Sequence, residues 1–251
     1  MRPKKIIITG GATRIGAAIA ESLANHDTEI SIHYNKSKSS ALKLKDKLKK
    51  LGSQIHLFKA DLNNFKQAQN LLKLANKKMK GVDCLINNAS LFENDSLQNF
   101  SEKSFTKHIN INLKAPAILT QNFKKILKKS EGCIVNIIDQ RVEKLTPFFF
   151  SYTLSKSSLV TLTKTSAMKL APNIRVNAIS PGPTLKNSRQ SEKHFKKQWK
   201  SILLKKKVDL KSICDGVKFL IKNKNITGEI INIDSGQRLA WNTPDIINVK
   251  E

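Results

Sequence analysis

Short apolar runs alternate along the chain with longer stretches in which apolar residues recur every three or four positions. The short runs fall at 4–10 (KKIIITG), 29–34, 54–60, 83–89, 133–139, 174–180 and 229–234. Between them lie 14–25, with apolar residues at 15, 19 and 23, then 41–52, closed by Gly52, and 65–79. Further periodic stretches cover 101–129, interrupted near Pro116, 151–171 and 210–221. Near-continuous apolar runs suit a strand covered on both faces, and the longer period is that of a helix with one buried side. Their regular alternation predicts an α/β chain with a doubly wound parallel sheet flanked by helices on both faces. No Pro/Gly/Ser-rich linker or internal repeat divides residues 1–251, so one domain is expected.

A hydrophobic content of 39% with 25% charged residues fits a globular chain rather than a disordered one. Aliphatic runs such as Ile6-Ile7-Ile8 fall far short of the ~20 residues that cross a bilayer, so no membrane span is expected. Cys84, Cys133 and Cys214 lie far apart with no CxxC pair, the pattern of buried thiols in a reducing, cytoplasmic compartment. The 45 Lys+Arg against 19 Asp+Glu give a net charge of +26, which raises nucleic acid or an anionic membrane as a partner. Only six of those cations are arginines, however, and the lysines are spread along the whole chain. Bidentate recognition of phosphate and guanine favours arginine, so a nucleic-acid partner is not expected.

The first apolar run enters TGGATRIG, residues 9–16, and then a helical stretch. Glycines in such a turn let the backbone approach a pyrophosphate, and the following helix N-terminus supplies N–H groups and a positive dipole end. In the order strand, turn, helix this points to a Rossmann-like, dinucleotide-binding unit. Between Ile30 and Lys45 there is no acid of the kind that binds a free ribose 2′-hydroxyl. The second strand ends instead in His33, Tyr34, Asn35, Lys36 and Ser37, groups suited to a 2′-phosphate. NADPH/NADP is therefore the expected cofactor, although Lys36 alone also reads as a solvated basic loop.

Tyr152 and Lys156 stand one helical turn apart, directly after the fifth strand, where parallel strand ends gather a ligand. An ammonium there favours the phenolate, which predicts a lowered tyrosine pKa and a phenol matched to proton donation. Asp139 closes the fifth strand, and it reads either as a proton-handling group or as a hydrogen-bonded structural acid.

With these residues in view, the chain resembles the short-chain dehydrogenase/reductase family over nearly its whole length. The resemblance rests on Thr9, Gly10, Ile15 and Gly16 in the glycine turn, and on Asp61-Leu62 after the third strand. It also rests on Asn87-Asn88-Ala89, Asn112 in HININLKAP, the Tyr152–Lys156 pair and Pro181-Gly182. It implies cofactor contacts from these turn and strand-end residues, with Lys156 on the ribose and Asn112 shaping a water relay. It also implies a homo-oligomer, tetramer or dimer, built through the helices near 101–129 and 152–171.

The departures narrow the resemblance. Arg14 replaces the middle glycine, Asp139 stands where most members have serine, and Ser90-Leu91-Phe92 follows Asn88-Ala89. These are similar to the pteridine reductase and dihydromonapterin reductase branch. There Asp, Tyr and Lys handle protons, the arginine serves cofactor and substrate, and an aromatic at Phe92 stacks the pterin ring. The residues alone leave Phe92 open as core packing. Phe148, Phe149 and Phe150 fit pocket, interface or core equally well.

After Pro181-Gly182, residues 186–207 place Phe195, Trp199, Ile202 and Leu203 at helical spacing, so 184–210 is expected to cover the substrate. The expected activity is NADPH-dependent reduction of a small molecule with a pterin-like ring (a dihydropterin such as dihydromonapterin, or dihydrofolate). A carbonyl or 3-oxoacyl-thioester reductase on the same scaffold is the alternative within enzymes. A non-catalytic nucleotide-sensing or nucleic-acid-binding protein is the alternative outside them.

Overall fold

The computed structural model describes residues 4–128, 130–187 and 189–240. Seven parallel strands form one sheet: β1 Lys4–Ile8, β2 Thr28–Tyr34, β3 Gln54–Lys59, β4 Cys84–Asn87, β5 Gly132–Ile137, β6 Ile174–Pro181 and β7 Ile230–Ile233. Their spatial order is β3-β2-β1-β4-β5-β6-β7. The helices are α1 Arg14–Leu23, α2 Lys38–Lys49, α3 Phe65–Met79, α4 Glu102–Ile109, α5 Ala115–Leu127, α6 Phe150–Leu170, α7 Glu192–Lys200 and α8 Leu210–Lys222.

Strand side chains alternate between two apolar layers, as the two-residue period of a strand demands. Ile6, Ile8, Cys84, Ile86, Cys133 and Val135 pack against α1, α2 and α8. Ile7, Leu85 and Ile134 point the other way, onto α3, α5 and α6. The doubly wound sheet is thus as expected. Successive strands run outward from β1 in opposite directions, so the strand ends of β1 and β4 part to leave a crevice.

Several expected boundaries move, among them the end of the fifth strand, which stops at Ile137, two residues before Asp139. The strands expected at 4–10 and 83–89 stop at Ile8 and Asn87, because the next residues turn away to bond each other. The long helix expected over 101–129 is two helices joined by a π-helical turn at Asn110–Lys114. The irregularity lies before Pro116, which sits in the first turn of α5, where a missing N–H costs nothing. The helix expected over 186–207 is helical only at α7. Phe195 in the helix and Ile202 just beyond it are buried while Leu203 is 58% exposed.

One polar chain crosses the core between strands and helix. Asn87 Nδ2 donates to Asn136 Oδ1 at 2.8 Å, and Asn136 Nδ2 donates to the Thr163 hydroxyl at 2.8 Å, all buried. Thr163→Val leaves the Asn136 amide without its acceptor, at a cost of about 1–3 kcal/mol. Urea denaturation should show that loss as a lower midpoint at unchanged slope; an unaltered midpoint would remove this chain from the account of stability.

Candidate active site

The crevice is a cleft of about 930 Å³ running from the end of β2, past the glycine turn, to the ends of β5 and β6. Its floor is set where β1 meets β4. The Thr9 hydroxyl accepts the N–H groups of Asn88 and Ala89 at 2.9 and 3.0 Å. Asn88 Nδ2 donates to the carbonyls of Thr9 and Gly10. Gly10 has φ +59°, and a Cβ there would lie 2.9 Å from the Ala89 backbone. A Cβ on Gly16 would lie 2.3 Å from the Gly10 carbonyl. The turn therefore accepts only glycine at both places, and the start of α1 faces the cleft with no side chain capping it.

His33, expected to contact a cofactor, has both ring nitrogens engaged. Nδ1 accepts the Gly10 N–H at 3.0 Å, and Nε2 meets the Ala60 carbonyl at 3.0 Å, which requires the Nε2–H tautomer. Burial lowers its pKa, and a neutral ring is what the Gly10 bond needs. His33 therefore shapes the turn. Tyr34, Asn35, Lys36, Ser37, Asp61 and Leu62 line the far end of the cleft. Asn35 Nδ2 donates to Asp61 Oδ1 at 3.3 Å, and Lys36 is exposed.

At the other end, Tyr152, Asp139 and Lys156 come together. The Tyr152 hydroxyl donates to Asp139 Oδ2 at 2.8 Å. Lys156 Nζ donates to the Ile137 carbonyl at 2.7 Å and lies 5.8 Å from the centre of the phenol ring. Tyr152 is 4% and Lys156 2% exposed. The expectation of a lowered phenol pKa is not met by the protein's own groups. Burial first, and then the Asp139 charge and hydrogen bond, push it well above its ordinary value, against smaller opposing effects of Arg141 and Ser90. Burial also lowers the Lys156 ammonium to about 8, with Asp139 holding it up. Near neutral pH the site thus contains a protonated phenol beside a mostly charged ammonium, with the phenol hydroxyl donating to Asp139.

The loop after β4 is fastened at several points. Asn112 accepts the Leu91 N–H at 2.8 Å and returns Nδ2 to the Leu91 carbonyl at 2.9 Å. The same amide donates to the Ser155 hydroxyl and accepts from Ser90. The Asn112 side chain, expected to shape a water relay, is thus occupied in holding this loop to α6. Glu93 N–H meets His108, and Asp95 receives the Ser151 N–H at the start of α6. Phe92 is thereby held with its ring stacked on Phe149 at 4.3 Å and edge-on to Tyr152 at 4.6 Å. Phe149, at φ +59° just before α6, is buried core, whereas Phe148 is exposed.

Two arginines that the sequence reading did not single out complete this end. Arg141 is buried 4.6 Å from the Phe149 ring centre, and its N–H donates to Asp139 Oδ1 at 2.9 Å. Arg189 lies 5.2 Å from the Phe92 ring and donates to the Phe92 carbonyl at 3.0 Å. Arg14 keeps the left-handed backbone of a glycine (φ +54°) and donates to the carbonyls of Leu185 and Lys186. Pro181 and Gly182 line the wall, with the Gly182 N–H bonded to Ile233. Phe195 and Gln198 of α7 reach the same cleft. Thr9 does not line the cleft and acts through Asn88 and Ala89.

A parallel sheet with a glycine turn at its switch point defines a dinucleotide-binding protein class. The model of the short chain dehydrogenase family matches residues 4–198, and the chain belongs to that family. It is 41% identical to FolM alternative dihydrofolate reductase 1 from Brucella suis, a structure in complex with NADP. That match covers 97% of this chain and 98% of the other with a TM-score of 0.91. Dihydromonapterin reductase of Enterobacter sp. (strain 638) is 25% identical over 94% of this chain and 97% of its own. The 3-oxoacyl-[acyl-carrier-protein] reductase FabG of Staphylococcus epidermidis is 27% identical over 93% and 98%.

The low Lys156 pKa has a consequence for stability. Below pH 8 its charge is buried in the folded protein at full cost; between about 8 and 10.5 the unfolded chain binds the extra proton, so rising pH favours folding. Relative to Lys156→Met, the wild type should gain stability between pH 8 and 10, by up to roughly 3 kcal/mol at about 1.4 kcal/mol per pH unit. Denaturation of both proteins across that range checks this; a constant gap refutes it.

Proposed function

We propose that this protein is an NADPH-dependent reductase of a pterin-like ring, and the observation that carries the reading is the Tyr152–Asp139 bond beside Phe92. The residues fit the cofactor: Gly10 and Gly16 leave backbone exposed at the α1 N-terminus, and Asn35, Lys36 and Ser37 stand where a 2′-phosphate belongs. Six cleft cations (Arg14, Lys36, Lys107, Arg141, Lys156 and Arg189) exceed the acids Asp61, Glu93 and Asp139, which favours a polyanion. When bound, NADPH supplies a hydride. The NADP complexes of FolM from Brucella suis and Brucella canis, each at 41% identity, support that choice.

Reducing a ring C=N bond also requires a proton at nitrogen. Tyr152 holds that proton at its oxygen, because burial and Asp139 keep the phenol un-ionised. Asp139 orients the hydroxyl by accepting its hydrogen bond at 2.8 Å, and the proton that Tyr152 passes on is replaced from solvent through the open cleft. Lys156 places an ammonium beside the phenolate that is left, and its remaining N–H groups serve the ribose. Arg14, Ser90 and Phe92 frame the substrate ring. The 3-oxoacyl reductase likeness keeps a carbonyl substrate as a second reading.

The reading extends to a homo-oligomer through the faces of α4, α5 and α6, supported by the exposed Leu154 and Met168 on α6. The free, buried Cys84, Cys133 and Cys214 support a cytoplasmic setting, and among the described residues no helix is long and apolar enough to cross a membrane.

Tyr152→Phe should lower dihydropterin reduction by about 10²–10⁴-fold, the usual worth of a positioned acid, while NADPH affinity measured by fluorescence titration stays within severalfold. Retained turnover would displace Tyr152 from the proton step, and turnover of acyl thioesters or ketones alone would displace the pterin.

A further inference from the structure

Arg189 is the one cation on the covering segment that reaches the Phe92 end of the cleft. Its guanidinium lies 5.2 Å from the Phe92 ring centre and 5.5 Å from that of Phe149, so it sits beside the stacked pair and bridges the two rings. One of its five N–H groups is used, by the Phe92 carbonyl at 3.0 Å. Among the described residues it meets no carboxylate, whereas its neighbours Lys107 and Lys186 are paired with Glu93 and Glu192. The residue is exposed.

We propose that Arg189 is a specificity-determining residue that reads an anionic group on the substrate's side chain. The inference rests on the pterin-like reading of the site. A ring lying against Phe92 within reach of Tyr152 has its substituent leave the cleft along the covering segment, where Arg189 stands. The planar fork matches a carboxylate or phosphate with two parallel bonds, and the aromatic pair holds it in place. Buried Arg141, 5.9 Å from the Phe92 ring on the same pair, adds positive potential to that end. The site therefore prefers a dihydropterin with an acidic tail over one with a neutral polyol.

The test compares kcat/KM for three substrates with NADPH: dihydrofolate, a dihydropterin ending in phosphate, and a dihydropterin with an uncharged polyol side chain. The wild type is expected to favour the anionic substrates, and Arg189→Gln to cut that preference by about tenfold, as for a partly exposed charge-assisted pair. Arg189→Lys should recover more of it for phosphate than for carboxylate, and raised salt should shrink it in the wild type. Equal losses on charged and uncharged substrates, or an unchanged ratio, overturn the proposal. NADPH titration of each variant guards against a general folding defect.

A second measurement separates this inference from the reductase reading. Folic acid and an uncharged pterin are titrated into the NADP-loaded protein, wild type and Arg189→Gln. Charge-selective binding lost in the variant upholds the role of Arg189 even where no dihydropterin is reduced. Equal binding of the two ligands sinks it and leaves the reductase reading standing, and binding of neither overturns both.

Discussion

The buried Tyr152 hydroxyl donates to the half-buried Asp139 carboxylate at the floor of the cleft, and the chemistry of the site follows from that contact. Each group alone would be costly to bury; joined at 2.8 Å, each meets the other's need. The same contact keeps the phenol protonated and supports the charge on Lys156, which burial would otherwise weaken further. A serine at position 139 could accept the hydroxyl hydrogen bond but would carry no charge, so burial alone would keep the phenol protonated and the Lys156 charge would lose its support. Asp139 is held in turn: its other oxygen accepts the Arg141 N–H, which fixes the carboxylate before any ligand arrives.

The fold was legible because two periods in the sequence do not overlap. Ile6-Ile7-Ile8 is apolar at every position because Ile6 and Ile8 meet one helical layer and Ile7 the other. The helices of one layer show the complementary stripe, as at Leu71, Leu72 and Ala75 of α3. What the pattern did not contain is the widened turn at Asn110–Lys114. It arises from a tertiary demand, the bonding of the Asn112 amide to Leu91, and no local propensity signals it. The covering segment misled for a related reason. Its lysines and apolar residues keep a helical period past Lys200, but Leu203 and Leu204 stay largely exposed, so the period continues beyond the helix without a continuous buried face to hold it.

In the site, residues tied to a local motif were easier to identify than residues that arrive from afar. Gly10, Gly16, Tyr152 and Lys156 announce themselves by spacing. Phe149 was one of three consecutive phenylalanines, and only the tertiary structure tells that its ring lies under Phe92 while Phe148 faces outward. Arg189 lay among many lysines, distinguishable only in being an arginine in a chain with six. The lysine excess is carried on the outward, exposed faces of α2, α3 and α7.

The departures from the family pattern form a single connected chain. Arg14 reaches across the cleft to Leu185 and Lys186. Four residues on, Arg189 reaches back to the Phe92 carbonyl. Phe92 lies edge-on to Tyr152, whose hydroxyl ends on Asp139. A left-handed arginine costs about 1–2 kcal/mol that a glycine would not, and it persists here with two charge-assisted bonds to offset it. The start of this segment is thus tied to the glycine turn at Leu185 and Lys186 and to the aromatic platform at Arg189.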